Sequence, residues 1–218
     1  MANISRWFFN LFLKSNCPLC QRPTGEIVCT YCQKQIQSCQ SQNPAEFWRG
    51  DLPLFGWGNY QGTVKRSIAA LKYENQPELA QPLGTWLGKA WQQSPPVRGK
   101  LAIVPIPMHP EKQKQRGFNQ AELLAVSFCR LTGYKLRSTA LSRVRETTAQ
   151  FSLSVQAREQ NLQGAFQVTT SGQKLREPVL LLDDIYTTGA TARSAKAVLE
   201  AAGISVVGII ALATTKKV

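Results

Sequence analysis

Residues 179–191 read Val-Leu-Leu-Leu-Asp-Asp-Ile-Tyr-Thr-Thr-Gly-Ala-Thr. The apolar run Val179 to Leu182 predicts a strand buried on both faces, because a half-exposed strand would alternate with polar residues. Asp183 and Asp184 follow at its carboxyl end. Thr187 to Thr191 then form a loop of small residues. Ala192, Ala195, Val198, Leu199 and Ala202, closed by Gly203, give a helical pattern behind it. The order strand, acid pair, Thr/Gly loop, helix fits a strand-to-helix turn of an α/β sheet. Such a turn points amide N–H groups and hydroxyls at the start of a helix, which is a phosphate site. Two carboxylates beside it can accept hydrogen bonds from a vicinal diol. A phosphate and a diol side by side describe a ribose 5-phosphate. An ordinary buried strand with a polar loop is the alternative, and paired aspartates alone would favour it. No Gly-Lys-Ser/Thr follows Gly189, so the loop is not a P-loop.

The length of 218 residues suits one α/β domain and a small appendage, and a hydrophobic fraction of 43% supplies a core. The formal charge of +13, from 26 basic and 13 acidic residues, favours a polyanionic partner such as nucleic acid or phosphorylated ligands; a generally basic surface is the alternative. The basic residues are spread along the chain, so folding must assemble any patch. No apolar run approaches the ~20 residues of a membrane span. The segment Trp7 to Leu13 is too short, no small-residue cleavage site follows it, and packing on the next module is its favoured role. These features predict a cytoplasmic protein with reduced cysteines.

Cys17-Pro-Leu-Cys20 and Cys29-Thr-Tyr-Cys32 are two C-x-x-C knuckles. Each offers two thiolates from one tight turn, and together they complete a tetrahedral four-sulfur site suited to Zn2+. Four protein ligands close the shell, so the metal would be structural. A pair of reactive dithiols is the alternative and fits two adjacent knuckles poorly. Cys39 reads as a spare thiol and Cys129 as a core residue on an amphipathic helix.

Residues 40–53 read as a linker, which divides the chain into an N-terminal zinc-binding module with its linker (1–53) and a larger domain (54–218). Strands are expected over 54–60, 101–106, 165–168, 179–182 and 205–213, with another near 135–141. Helices are expected over 64–73, 77–93, 120–132 and 154–161, and behind the Thr/Gly loop. In the first of these Val64, Ile68 and Leu71 point inward, and Lys65, Arg66 and Lys72 outward. Trp86 and Trp91 read as core. Residues 108–119 read as a basic loop with Lys112, Lys114 and Arg116, and 142–152 as irregular. Alternating strands and helices predict a mostly parallel sheet with helices on both faces and ligands at the strands' carboxyl ends.

The Asp-Asp/Thr-Thr-Gly-Ala-Thr stretch resembles the 5-phosphoribosyl-1-pyrophosphate (PRPP) motif of type I phosphoribosyltransferases. Further elements stand in order along the chain. They are the two cysteine knuckles, Leu71-Lys72-Tyr73, Val104-Pro105-Ile106-Pro107, Arg116-Gly117-Phe118-Asn119-Gln120, Gln150 with Arg158 and Asn161, and the PRPP motif. This combination resembles the ComF/GntX family, associated with competence for DNA uptake and use of DNA as a nutrient. Residues 101–200 also resemble the transferase half of amidophosphoribosyltransferases. The resemblance implies a type I phosphoribosyltransferase fold with a small zinc module. It implies Asp183 and Asp184 as the catalytic pair on the ribose 2′ and 3′ hydroxyls. It places the 5-phosphate on Thr187, Thr188, Gly189, Ala190 and Thr191. It gives the segment after Pro107 to pyrophosphate, with Arg116 as the forked contact and Arg158 as a weaker one. Thr147 to Asn161 would form a mobile lid.

Phosphoribosyl transfer passes through an oxocarbenium-like sugar, so positioning and electrostatics carry it, with Mg2+ on the pyrophosphate oxygens. His109 is the only histidine, which argues against triad hydrolases. It reads as a loop-surface residue, as do Lys112 and Lys114. Two functions follow. The first is a ComF-like competence protein with a PRPP-binding fold that acts on incoming single-stranded DNA, with a competence helicase-like ATPase as partner in the manner of the family. The second is a Mg2+-dependent phosphoribosyltransferase with an unidentified acceptor and no link to DNA. Single-strand binding would use a basic groove and stacking aromatics, with Trp48, Trp57, Tyr60 and Tyr73 as candidates.

Overall fold

The structure, a computed structural model, describes residues 15–145 and 164–216. The segment 7–13, the lid segment 147–161 with Gln150, Arg158 and Asn161, and the helix expected over 154–161 lie outside the described residues. The elements in chain order are β1 (Ser15–Asn16), β2 (Pro23–Thr24), α1 (Thr30–Gln37), β3 (Leu54–Asn59), α2 (Gly62–Tyr73), α3 (Ala80–Gln93), β4 (Ala102–Pro105), α4 (Pro110–Arg116), α5 (Gln120–Thr132), β5 (Lys135–Leu136), β6 (Leu141–Arg143), β7 (Phe166–Val168), β8 (Val179–Tyr186), α6 (Ala190–Ala201) and β9 (Val206–Thr214).

Five strands form one parallel sheet in the order β3-β9-β8-β4-β5. The apolar run in β8 is uniform because both faces are covered. Leu180 and Leu182 join one buried cluster with Phe55, Leu71, Leu87, Trp91 and Phe128. Val179 and Leu181 join the other with Val104, Ala195, Leu199 and Ile209. The first cluster is capped by α2, α3 and α5, and the second by α6. Burial of this kind stabilises by about 25 cal/mol per Å2 of apolar surface, which is what holds two helical layers on one sheet. Helices α3 and α5 approach closely at Gly84, where an added Cβ would stand 2.5 Å from the Leu124 carbonyl oxygen and 2.8 Å from Ser127 Cβ. Trp91 is buried against Phe55, with ring centroids 5.0 Å apart, as a core residue should be.

The connections set the functional edge. From β4 the chain passes through α4 and α5 to β5 on one side; from β8 it passes through α6 to β9 on the other. Neighbouring strands β4 and β8 therefore send their connections in opposite directions, and a crevice opens at their carboxyl ends.

Four expectations are corrected. Strand β8 runs through the acid pair to Tyr186, because β9 pairs with it as far as Asp183↔Ala211, Ile185↔Ala213 and Tyr186↔Thr214. The basic loop after Pro107 contains helix α4. Pro110 starts it where no N–H is needed, Glu111 and the pair Lys114/Arg116 suit its dipole, and Gly117 at φ +86° ends it. The helix expected over 77–93 opens as a 3-10 turn, Pro77–Leu79, before α3. The strand expected near 135–141 divides into β5, which joins the main sheet, and β6, which pairs antiparallel with β7. Among the described residues, no helix is long and apolar enough to cross a membrane.

Candidate functional site

The crevice between β4 and β8 holds a cavity of about 240 Å3 lined by Ile106, Pro107 and Met108 from one strand end and by Asp183, Asp184 and Ile185 from the other. Arg116, Lys112, Lys72, Arg143 and Thr191 complete its charged and hydroxyl lining. A smaller cavity beside it is lined by Asp183 and by the whole loop from Tyr186 to Thr191. The structure thus brings Asp183, Asp184, Arg116 and the Thr/Gly loop to one edge of the sheet.

The loop's path depends on Gly189, whose φ of +79° suits glycine. A Cβ there would stand 2.2 Å from Tyr186 Oη and 2.6 Å from Tyr186 Cζ. Gly189 caps α6, and the first residues of that helix, Ala190, Thr191 and Ala192, line the small cavity. Arg193 Nη1 donates to the Thr188 carbonyl oxygen at 3.0 Å and ties the helix back to the loop.

The acid pair is asymmetric. Asp184 is buried and forms an ion pair with Lys72. Gln120 Nε2 donates to Asp184 Oδ1 at 3.4 Å, and the Asp184 amide donates to Asp183 Oδ1 at 2.8 Å. Burial opposes ionisation of Asp184, but the Lys72 ammonium outweighs it and holds the carboxyl below the usual carboxylate range. Burial and the neighbouring Asp184 charge push Asp183 well up. Burial likewise opposes the Lys72 charge, and the attraction of Asp184 outweighs it, so Lys72 is raised. One acid is therefore a fixed acceptor, and the other resists a second charge in the same crevice.

The segment Arg116 to Gln120 explains itself in this geometry. Arg116 Nη1 donates to Gln120 Oε1 at 2.6 Å. Asn119 caps α5 by accepting from the Ala121 amide, and its Nδ2 donates to the Ile106 carbonyl oxygen at 3.0 Å, locking α5 to the end of β4. Gln120 thus links Arg116 to Asp184. Sequence reasoning placed Lys72 outward and Lys112 on the surface, yet both line the cavity; Lys114 is exposed. Arg143 was missed altogether, since nothing in an irregular polar segment signals which cation folds inward. His109 precedes α4 and does not line the cavity. Trp57 is fully buried, which removes it as a stacking platform, and Trp48 packs edge-on against Trp91 with centroids 5.8 Å apart. Tyr73 is 75% exposed.

At the N-terminal end, the sulfur atoms of Cys17, Cys20, Cys29 and Cys32 all lie within 4.8 Å of one another. Ligands of a tetrahedral zinc at ~2.3 Å stand about 3.8 Å apart, and the Cys20–Cys29 sulfur separation of 3.5 Å is close to that. The donor set fits, so the cluster can hold a metal such as zinc. Burial opposes the Cys17 thiolate, but the amides of Cys29, Leu19 and Cys20 outweigh it and bring the thiol to about 7; burial and the neighbouring sulfurs push Cys32 up. The module packs on the sheet's core through Cys17, Leu19, Val28 and Ile36. Cys129 is buried in α5, and Cys39 donates weakly to the Gln35 carbonyl oxygen at 3.5 Å.

A parallel sheet with an acid pair and a Thr/Gly loop at its topological switch point defines an α/β protein of the type I phosphoribosyltransferase fold, here with a four-cysteine cluster attached. No family model matches the chain. Competence protein F of Haemophilus influenzae is 28% identical over 218 residues, covering 94% of this chain and 93% of that protein. DNA utilization protein YhgH of Escherichia coli is 28% identical over 183 residues, with 82% and 74% covered. Competence protein ComFC of Bacillus subtilis is 27% identical over 179 residues, with 80% and 67% covered. The chain is thus similar over most of its length to proteins named for competence and DNA utilization. Among solved structures, glutamine PRPP amidotransferase from B. subtilis is similar at 17% identity and a TM-score of 0.40, over 66% of this chain and 30% of that one. An allosteric regulatory enzyme of purine biosynthesis is similar at 18% and a TM-score of 0.37, over 63% of this chain and 26% of that one. The chain therefore spans less than a third of either structure.

Proposed function

We propose that this chain is a ComF-like competence protein that binds PRPP in the β4/β8 crevice and acts on incoming single-stranded DNA. The observation that carries the ligand is the single cavity joining Asp183, Asp184, Thr191 and Arg116 at the switch point. In this reading Asp183 and Asp184 take the ribose diol. Thr187, Thr188, Gly189, Ala190 and Thr191 take the 5-phosphate at the start of α6, where amides and dipole favour an anion. Arg116, held by Gln120, takes pyrophosphate. Mg2+ binds with PRPP through the pyrophosphate oxygens, as such sites usually share the ion with substrate phosphates. Zinc on Cys17, Cys20, Cys29 and Cys32 holds together the module of residues 1–53.

The DNA setting rests on the relatives named for competence and DNA utilization, and the charge of +13 agrees with it. A helicase-like ATPase partner and a cytoplasmic location belong to the same reading. The second function, phosphoribosyl transfer to an unidentified acceptor, draws on the same crevice. Pyrophosphate release from PRPP, measured against bases, amines and oligonucleotides, separates the two. Release that requires one acceptor makes the protein a transferase. PRPP binding without release, together with single-strand binding, supports the competence reading alone. Failure to bind either PRPP or DNA defeats both.

A further inference from the structure

Arg193 stands in the first turn of α6, directly after the residues of that helix that line the small cavity. A helix dipole disfavours a cation at that end, and no acid stands in the first turn to offset it. What the side chain holds accounts for its place. Arg193 is half-buried. Its Nη1 donates to the Thr188 carbonyl oxygen at 3.0 Å, and its backbone amide donates to the Gly189 carbonyl oxygen at 2.8 Å. The guanidinium also hydrogen-bonds the Tyr186 hydroxyl; burial raises that phenol, and the Arg193 charge works against the rise. Tyr186 is itself a fixed post. It pairs with Thr214 across the sheet, and its carbonyl oxygen accepts from the Thr215 amide at 3.1 Å. Phenol and guanidinium close together over Gly189, where an added Cβ would stand 2.2 Å from Tyr186 Oη and 2.9 Å from Arg193 Nη1.

In a trans peptide the C=O and the following N–H point to opposite sides. The Thr188 carbonyl is turned to Arg193, so the Gly189 amide points the other way. Thr188 and Gly189 line the small cavity, and Arg193 does not. We infer that Arg193 is a positioning residue for the 5-phosphate: through the Thr188 carbonyl it fixes the Thr188–Gly189 peptide so that the Gly189 amide donates to the anion. Flipped, the same peptide would offer its carbonyl oxygen to a phosphate and repel it. Glycine at φ +79° gives the loop its path but also the freedom to flip, and the guanidinium braced on Tyr186 removes that freedom. Arg193 thus acts through the loop and does not touch the ligand. This role rests on the PRPP reading of the crevice.

Calorimetry on the full chain tests it with three probes: ribose 5-phosphate, pyrophosphate with Mg2+, and PRPP with Mg2+. Arg193→Met keeps the aliphatic stem and removes the donors. It should weaken ribose 5-phosphate and PRPP by about 10- to 150-fold, the size of one lost hydrogen bond to a charged group, and leave pyrophosphate unchanged. Arg193→Lys still reaches the Thr188 carbonyl and should recover part of the loss, which keeps the test open if the methionine variant folds poorly. Amide NMR reads the peptide itself. The Gly189 amide proton should move downfield when ribose 5-phosphate is added to the wild type, and should not in Arg193→Met. Equal weakening of all three probes overturns the role, because the side chain would then be supporting the fold in general. Unchanged ribose 5-phosphate affinity in Arg193→Met also overturns it, as does a Gly189 resonance that stays still while the wild type binds ribose 5-phosphate. A wild-type chain that binds none of the probes is instead the failure of the crevice reading.

Discussion

Replacing Lys72 with methionine keeps the length of the side chain and removes the partner of a buried charge. Asp184 is 4% exposed and the Lys72 side chain 16%. Breaking a buried pair by removing one partner costs about 3–5 kcal/mol, because the remaining charge is left in a poor solvent. Gln120 still donates to Asp184 at 3.4 Å, which puts the expected loss at the lower end, about 3 kcal/mol. For a chain of 218 residues that lowers Tm by about 6–12 °C. The pH dependence has a definite sign. With Lys72 present, Asp184 is held below its usual range, so its contribution is intact above its unfolded pKa and is lost only as pH falls through the lower folded value. Lys72 is raised, so its contribution is intact below its unfolded pKa and lost as pH rises through the folded value. In Lys72→Met the charge that outweighs burial is gone and only hydrogen bonds from Asp183 and Gln120 oppose it, so Asp184 moves up and the variant recovers stability as pH falls. Urea unfolding with saturating zinc, at about pH 8 and about pH 5.5, should therefore show a smaller loss at the lower pH. The double variant Lys72→Met/Asp184→Asn should recover most of the loss at both. A loss under ~1 kcal/mol, or one that does not shrink on acidification, would refute the electrostatic account.

Three further outcomes follow from other parts of the molecule. Gly189→Ala should unsettle the loop by about 1–3 kcal/mol through its left-handed backbone and the Tyr186 ring, and should abolish PRPP heat in calorimetry while far-UV circular dichroism stays native. Elemental analysis of protein purified without chelators should find about one zinc per chain, and Cys32→Ser should lose the metal; iron, or no metal, contradicts the module. Gel-shift affinity for single-stranded DNA should fall linearly in log-log form as salt rises, and no binding at low salt counts against the DNA role.

Much of the sheet was legible because its signals are local and strong. A uniform apolar run announces a strand with both faces covered, and a glycine followed by small residues announces the turn into α6. The two C-x-x-C knuckles carry their pairing in their spacing, and the fold brings all four sulfurs together. What escaped was set by tertiary contacts. Lys72 sits one position from Leu71 on α2, where helical periodicity alone points it to solvent; only the approach of β8 makes an ion-pair partner available. Helix α4 has no buried residue, so it offered no apolar stripe to read, and only its Pro110 start and Gly117 stop reveal it. Trp57 and Tyr73 carry the same stacking chemistry in the sequence. The fold separates them, because Trp57 lies in a strand covered on both sides and Tyr73 ends a helix at a cavity mouth.

The central claim is that one crevice holds a ribose diol and its phosphates, and titration calorimetry with PRPP and Mg2+ tests it most directly. The account predicts saturable heat for the wild-type chain and none for Asp183→Asn/Asp184→Asn, with both proteins retaining the same far-UV spectrum. Absence of heat in the wild type, or undiminished heat in the double variant, would contradict it.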